Sequence, residues 1–146
     1  MKFLTTVVPF ALSLAVASPL ESRAVTEFDV TNFSASCAGD NSGCQWSFNL
    51  VEVGFSSAVL TCTGSTTSGT SFPNGSGPFQ CSDTSVVFTF TKILTRYRMV
   101  ITDVHTPGSS VAGSKIWDGT DFPTVTDATG THQAYTGATS FNIAAS

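Results

Sequence analysis

The chain has 146 residues, of which 41% are hydrophobic and only 11% charged, and its formal net charge is −4. This acidic, charge-poor composition argues against a nucleic-acid partner, whose phosphates need clustered Lys and Arg, and against adsorption to an anionic membrane. Beyond residue 23, four cations (Lys92, Arg96, Arg98, Lys115) face nine carboxylates, so the solvated surface must be built largely from Ser, Thr, Asn and Gly.

Lys2, the apolar run Phe3–Val16 and the small-residue step Ala15-Val16-Ala17 have the layout of a secretory signal peptide over residues 1–17. The run is short for a membrane span, which needs about 20 residues. Residues 18–23, polar and ending in Arg23, read equally well as a short propeptide or a frayed terminus. Residues 24–146 are then a single secreted, extracellular domain. A chain of that size buries roughly two thirds of its unfolded surface.

Apolar alternation predicts strands from the start of this domain. Phe28 and Val30 share one face while Glu27 and Asp29 point away. Trp46, Phe48 and Leu50 share a face of the next strand and read as core. Val51 and Val53 fall on the opposite face, which predicts that this strand is covered on both sides at its end or carries a bulge. Ser57–Thr63 reads as a third strand, with Ala58, Leu60 and Cys62 in phase. Residues 64–77 read as a long loop with a turn at Phe72-Pro73-Asn74-Gly75, and Phe79–Cys81 as a return strand. Val86, Phe88 and Phe90 alternate with Val87, Thr89 and Thr91, so the Phe side should be buried against Trp46 and Phe48. Leu94–Val104 predicts one further strand, stopped by Thr106-Pro107-Gly108. Beyond Pro107 the pattern weakens: Ile116-Trp117, Phe122-Pro123 and Val125 suggest irregular or edge structure, residues 130–137 are polar, and Phe141 and Ile143 can close a sheet. Seven to nine short strands predict an all-β fold, an antiparallel β-sandwich or β-barrel.

Four cysteines in a small exported chain predict two disulfides. Of three pairings, Cys37–Cys44 with Cys62–Cys81 is favoured, because each closes a Gly/Ser-rich segment between strand-like runs. Loop entropy makes them worth about 2.5 and 3 kcal/mol. Their spacings do not suit zinc, and neither a metal nor a cofactor is expected. Asn32-Phe33-Ser34 and Asn74-Gly75-Ser76 are candidate glycosylation sites.

The sequence offers little chemistry. His105 and His132 are the only histidines, and no G-x-S-x-G elbow is present. Asp103 and His105 can share a strand face, but His105 reads as a strand-end surface residue and no catalytic residue is expected. A hydrolase would need His105 buried in a cleft and bonded to Asp103 and to a Ser or Thr hydroxyl. Asp118 and Asp121 are the best local carboxylate pair, and Asp118-Gly119 reads as a turn ahead of a weak calcium site. Arg96, Tyr97 and Arg98, joined by Lys92, form a basic–aromatic cluster that could grip an acidic partner or a sugar. With Trp117 they are the candidate binding residues.

Several of these features coincide in a known pattern. The leader ends Ser18-Pro19-Leu20-Glu21-Ser22-Arg23. A first strand Phe28-Asp29-Val30-Thr31-Asn32-Phe33 leads to Cys37, and the C-x₆-C step runs straight into Trp46-Ser47-Phe48. Cys62 and Cys81 bracket a loop ahead of Val86-Val87-Phe88-Thr89-Phe90. Over residues 24–105 this resembles the small secreted fungal proteins grouped around the Alternaria major allergen, which include hypersensitive-response-inducing elicitors. The tail from Pro107 has no cysteine, so a late disulfide like the allergen's is absent. The resemblance implies a compact extracellular β-protein without enzymatic activity, acting as an effector or elicitor on a host or extracellular protein or glycan. A small carbohydrate-binding wall protein using Trp117, Tyr97 or Tyr135 is the alternative. A small secreted hydrolase, with Asp103, His105, Asp118 and Asp121 as its candidates, comes behind it.

Overall fold

The computed structural model describes residues 24–106 and 109–146. The expected signal peptide and the segment 18–23 lie outside them. Ten strands follow in chain order: β1 (Glu27–Cys37), β2 (Cys44–Val53), β3 (Leu60–Ser65), β4 (Ser76–Gln80), β5 (Val86–Ile93), β6 (Arg96–Thr106), β7 (Ser109–Asp118), β8 (Thr124–Asp127), β9 (Gly130–Gln133) and β10 (Phe141–Ala144). Two four-stranded antiparallel sheets, β10-β1-β2-β3 and β4-β5-β6-β7, make a sandwich, and β8-β9 is a separate hairpin.

The inward rows obey the alternation. Phe88 and Phe90 of β5 are fully buried, and their rings meet Phe48 and Trp46 of β2 at 4.9 and 5.4 Å between centroids. Each such ring contributes about 1.5–3 kcal/mol by leaving water. Both disulfides join the expected partners, Cys37–Cys44 and Cys62–Cys81.

Several boundaries depart from the sequence reading. β2 stays regular to its end, and the bulge lies in β1. There Asn32 takes φ +54°, the register shifts between Thr31 and Ser34, and the buried row passes from Phe28 and Val30 to Phe33 and Ala35. Asn tolerates this left-handed conformation better than a branched residue would. The third strand starts only at Leu60, leaving Ala58 and Val59 exposed, and the return strand begins earlier, at Ser76. Leu94 belongs to a hairpin turn between β5 and β6, not to a strand. The weakly patterned stretch after residue 108 holds the ten-residue β7, paired along β6 from Asp103↔Val111 to Arg96↔Asp118.

Both sides of the sandwich are laced to the opposite sheet. On one side Ala112 of β7 and Ser146 exchange backbone hydrogen bonds of 3.1 and 3.0 Å. On the other, Cys62 faces Cys81 in an isolated bridge and Ser82 N–H donates to the Thr61 carbonyl at 2.8 Å. The first seam needs Gly113. A Cβ there would stand 2.6 Å from Ile143 Cγ2 and 2.8 Å from the Ala144 carbonyl oxygen. Gly113→Ala is expected to force the two strands apart and to cost about 1–3 kcal/mol in urea unfolding. An unchanged midpoint would mean that the seam yields freely.

Candidate functional site

The inward row of β2 runs Cys44, Trp46, Phe48, Leu50 and then Glu52. That of β6 runs Tyr97, Met99, Ile101 and then Asp103. Each hydrophobic row therefore ends in a carboxylate, Glu52 at 2% exposure and Asp103 at 5%. His105 follows two residues later, so the strand repeat returns it to the same side as Asp103. The turn before β5 supplies Asp83 and Ser85, anchored beside β6 by the Val104 N–H donating to the Ser85 carbonyl at 3.0 Å.

These five side chains converge. Within the turn, the Ser85 N–H and hydroxyl both donate to Asp83 Oδ1, at 3.0 and 2.5 Å. His105 Nδ1 contacts Asp103 Oδ1, which also accepts the His105 backbone N–H at 2.9 Å. His105 Nε2 faces Asp83 Oδ2 at 3.1 Å. Glu52 Oε1 lies 3.9 Å from His105 Nδ1 and has no hydrogen-bond partner. The Phe55 ring covers the imidazole at 4.7 Å between centroids. His105 is thus no plain surface residue: the neighbouring strand and turn draw it into a polar cluster, and its side chain is only 23% exposed.

Burial, reinforced by the Asp103 charge, pushes the Glu52 carboxyl up to about 7. Burial works against a charged His105, but the hydrogen bond to Asp103, that carboxylate's charge and the bond to Asp83 together carry its pKa above the usual histidine value. The two bonds from Ser85, side chain first, hold Asp83 below the ordinary carboxylate range.

The bonds to Asp103 and a hydroxyl that a hydrolase would require are present, yet the arrangement does not release a base. Ser85 Oγ lies 3.2 and 3.1 Å from Nδ1 and Nε2, so it is directed at neither nitrogen, and its proton goes to Asp83. Nε2 is already engaged by Asp83. The neighbouring hollow is lined by Val51, Val53, Gly54, Phe55, Ser56 and Ser57 and does not include His105. Oxygens of Glu52 and Asp103 lie within 4.8 Å of each other and are sealed from solvent, whereas glycoside cleavage wants carboxyl groups about 5–9.5 Å apart across an open site.

The remaining candidates separate. Tyr97 and Trp117, read as binding residues, are core residues at 2% and 5% exposure, because the Arg-Tyr-Arg alternation sends the ring inward and both guanidiniums outward. Lys92 lies in register with Tyr97, with its Nζ 5.7 Å from that ring, and so leaves the arginine face. Arg96 and Arg98 are exposed on the outer face, Arg96 pairing with exposed Asp118 at 3.3 Å. In register with them stand Ile93 and Ile116, at 46% and 54% exposure. Asp118 leads into a 3-10 turn, Gly119–Asp121, as the turn reading expects. Asn32 and Asn74 are both exposed. Tyr135 is half-buried, and its hydroxyl donates to the Ala138 carbonyl at 2.8 Å.

Sequence reasoning did not single out Glu52, Asp83 or Ser85. The phase of β2 carried the signal for Glu52, a carboxylate at the next inward position after Leu50. Compared with known proteins, the chain matches no family model, no curated protein and no solved structure.

Proposed function

We propose that the chain is an exported, non-enzymatic binding protein that recognises an acidic host or extracellular protein through the β5–β6 hairpin and the outer face beside it. The observation that carries this reading is Leu94. It sits at the hairpin tip at φ +55° and is 91% exposed. A leucine in the left-handed region costs about 1 kcal/mol or more, which Asn or Gly would avoid, and here the side chain gains no packing in return. Ile93, Ile116 and Arg98 extend the same surface, an apolar ridge beside a cation on an otherwise acidic chain, with Arg96 alongside paired to Asp118. Aromatic-poor but Arg-bearing, it gains specificity from charge complementarity and affinity from the apolar contacts.

Two disulfides suit an oxidising compartment, and no helix among the described residues is long and apolar enough to cross a membrane. The resemblance to fungal effectors and elicitors supports a host-facing partner. The alternative, a glycan-binding wall protein, draws on a hydroxyl-lined groove of about 570 Å³ over Ser34, Ser36, Gln45, Ser47, Thr63 and Ser65. Its aromatic floor is the buried Trp46 and the partly buried Phe79, so at most the edge of one ring is open to a sugar.

The test infiltrates purified protein into leaves, wild type beside a Leu94→Asp/Arg98→Glu variant and a heat-denatured control, with retention on insoluble wall polysaccharide measured on the same batches. The tissue response is expected to fall about tenfold or more in the variant, with its unfolding midpoint no lower than that of wild type, since Asp tolerates the left-handed backbone of position 94 better than Leu. A response equal to wild type would overturn the assignment of this face. Retention on polysaccharide that the variant leaves intact, without a tissue response, would favour the glycan reading.

A further inference from the structure

We infer that Glu52, Asp103 and His105 form a binding site for a divalent transition-type cation of the Zn²⁺ class, with Asp83 orienting the imidazole from outside the ligand set. Each of the three offers one ligand atom, and these atoms lie within 4.8 Å of one another. Two ligands at about 2.0–2.2 Å from a tetrahedral ion stand about 3.3–3.6 Å apart, so binding draws Glu52, now 3.9 Å from Nδ1, inward and replaces the direct contact between Asp103 Oδ1 and Nδ1, which opens to that spacing around the ion.

The second observation is the orphan oxygen. Glu52 Oε1 is buried without any hydrogen-bond partner, in a side chain 3% exposed, and it faces the imidazole across that gap. Such an atom is costly unless something electropositive sits beside it. A dication between two carboxylates and a neutral imidazole satisfies it and balances the two negative charges.

The outer partners fit as well. With Nδ1 as the ligand, Nε2–H is left to donate to Asp83 Oδ2, which stands 3.1 Å away. Asp83 is itself fixed by the Ser85 N–H and hydroxyl. A carboxylate behind a ligating histidine sets its tautomer and ring orientation, and losing one typically weakens metal binding about 10–100-fold. One imidazole with two carboxylates favours Zn²⁺ or Mn²⁺ over Ca²⁺, which prefers six to eight oxygens. Three protein ligands leave a position for water, and the partly exposed edge of His105 gives an entry path.

The experiment titrates the chelator-treated full secreted chain with Zn²⁺ by calorimetry and reads the visible spectrum of the Co²⁺ form. One equivalent per chain and a tetrahedral Co²⁺ spectrum are expected. Glu52→Gln and His105→Asn should each weaken binding at least about 100-fold, and Asp83→Asn about 10–100-fold. His132→Asn should leave it unchanged, although His132 lies near Asp127 at 3.8 Å. His105→Asn serves as the independent ligand variant should Glu52→Gln fail to fold. No saturable heat at millimolar Zn²⁺ would overturn the site, leaving a shared proton as the occupant of the Glu52–Asp103 pair. Binding lost in His132→Asn but kept in His105→Asn would overturn it equally.

Discussion

Phe88→Ala is expected to lower the stability of the domain by about 3–5 kcal/mol, a large share of the 5–15 kcal/mol typical of a single domain. Phe88 is fully buried near the middle of β5, between Phe48 of the facing sheet at 4.9 Å and Phe79 of β4 at 5.2 Å. The void left by its ring cannot close easily. Cys62 lies in register with Phe48 and is tied covalently to Cys81, so the walls on that side are held in place. Thr89, the next residue, faces outward and is half-buried. Thr89→Ala is expected to change stability by less than about 0.5 kcal/mol, as outward substitutions generally do. Denaturant unfolding of the two variants side by side decides the matter. Equal small losses would mean that the Phe row does not form the core.

The chelator-treated protein is expected to be more stable near about pH 5 than near about pH 8. The carboxyl of Glu52 moves from an ordinary 4.5 in the unfolded chain to about 7 in the fold. Folding therefore favours its protonated form, and this contribution is fully present below 4.5 and lost as pH rises through about 7. With about 1.4 kcal/mol per pKa unit, the loss over the whole range amounts to roughly 3–4 kcal/mol at most. His105, raised above its ordinary 6.5, acts in the same direction, since its contribution is present below that value and lost as pH climbs through the folded one. Asp83, lowered from 3.8, acts oppositely but only in stronger acid. Glu52→Gln should remove most of the slope and leave the smaller share of His105. Stability that rose from pH 5 to pH 8 would contradict the burial of this cluster.

The residues themselves explain what the sequence made legible. Phe88 and the pairings Cys37–Cys44 and Cys62–Cys81 could be read because strand period and short loop closure are local properties. β7 could not, because its inward positions hold Val111, Gly113 and Lys115 before Trp117. Gly113 replaces a side chain by a close approach of main chains, which leaves no hydrophobic mark. Arg96-Tyr97-Arg98 looked like one patch, although the period of two separates its ring from its charges. Glu52 was in phase with the core row, but Val51 and Val53 drew attention to the other face. Asp83 and Ser85 reach His105 only through the pairing of β5 with β6, which places Val86 opposite Asp103 and brings the preceding turn alongside.

The two laced sides have a consequence for how anything can attach to this molecule. An open sheet edge is a template on which another extended chain adds by main-chain pairing, whether a peptide ligand, an exchanged strand or the next unit of a fibril. Here the outer strands of the sandwich are β3 and β4 on one side and β7 and β10 on the other, and each side is pinned at one point, by Ala112 with Ser146 and by the Cys62–Cys81 bridge with Ser82 and Thr61. Strand addition running through either point would first have to unpick Ala112 from Ser146 or part Ser82 from Thr61 beside a covalent bridge. At these two points a visitor is left with side chains and loops to read rather than a free main-chain ladder.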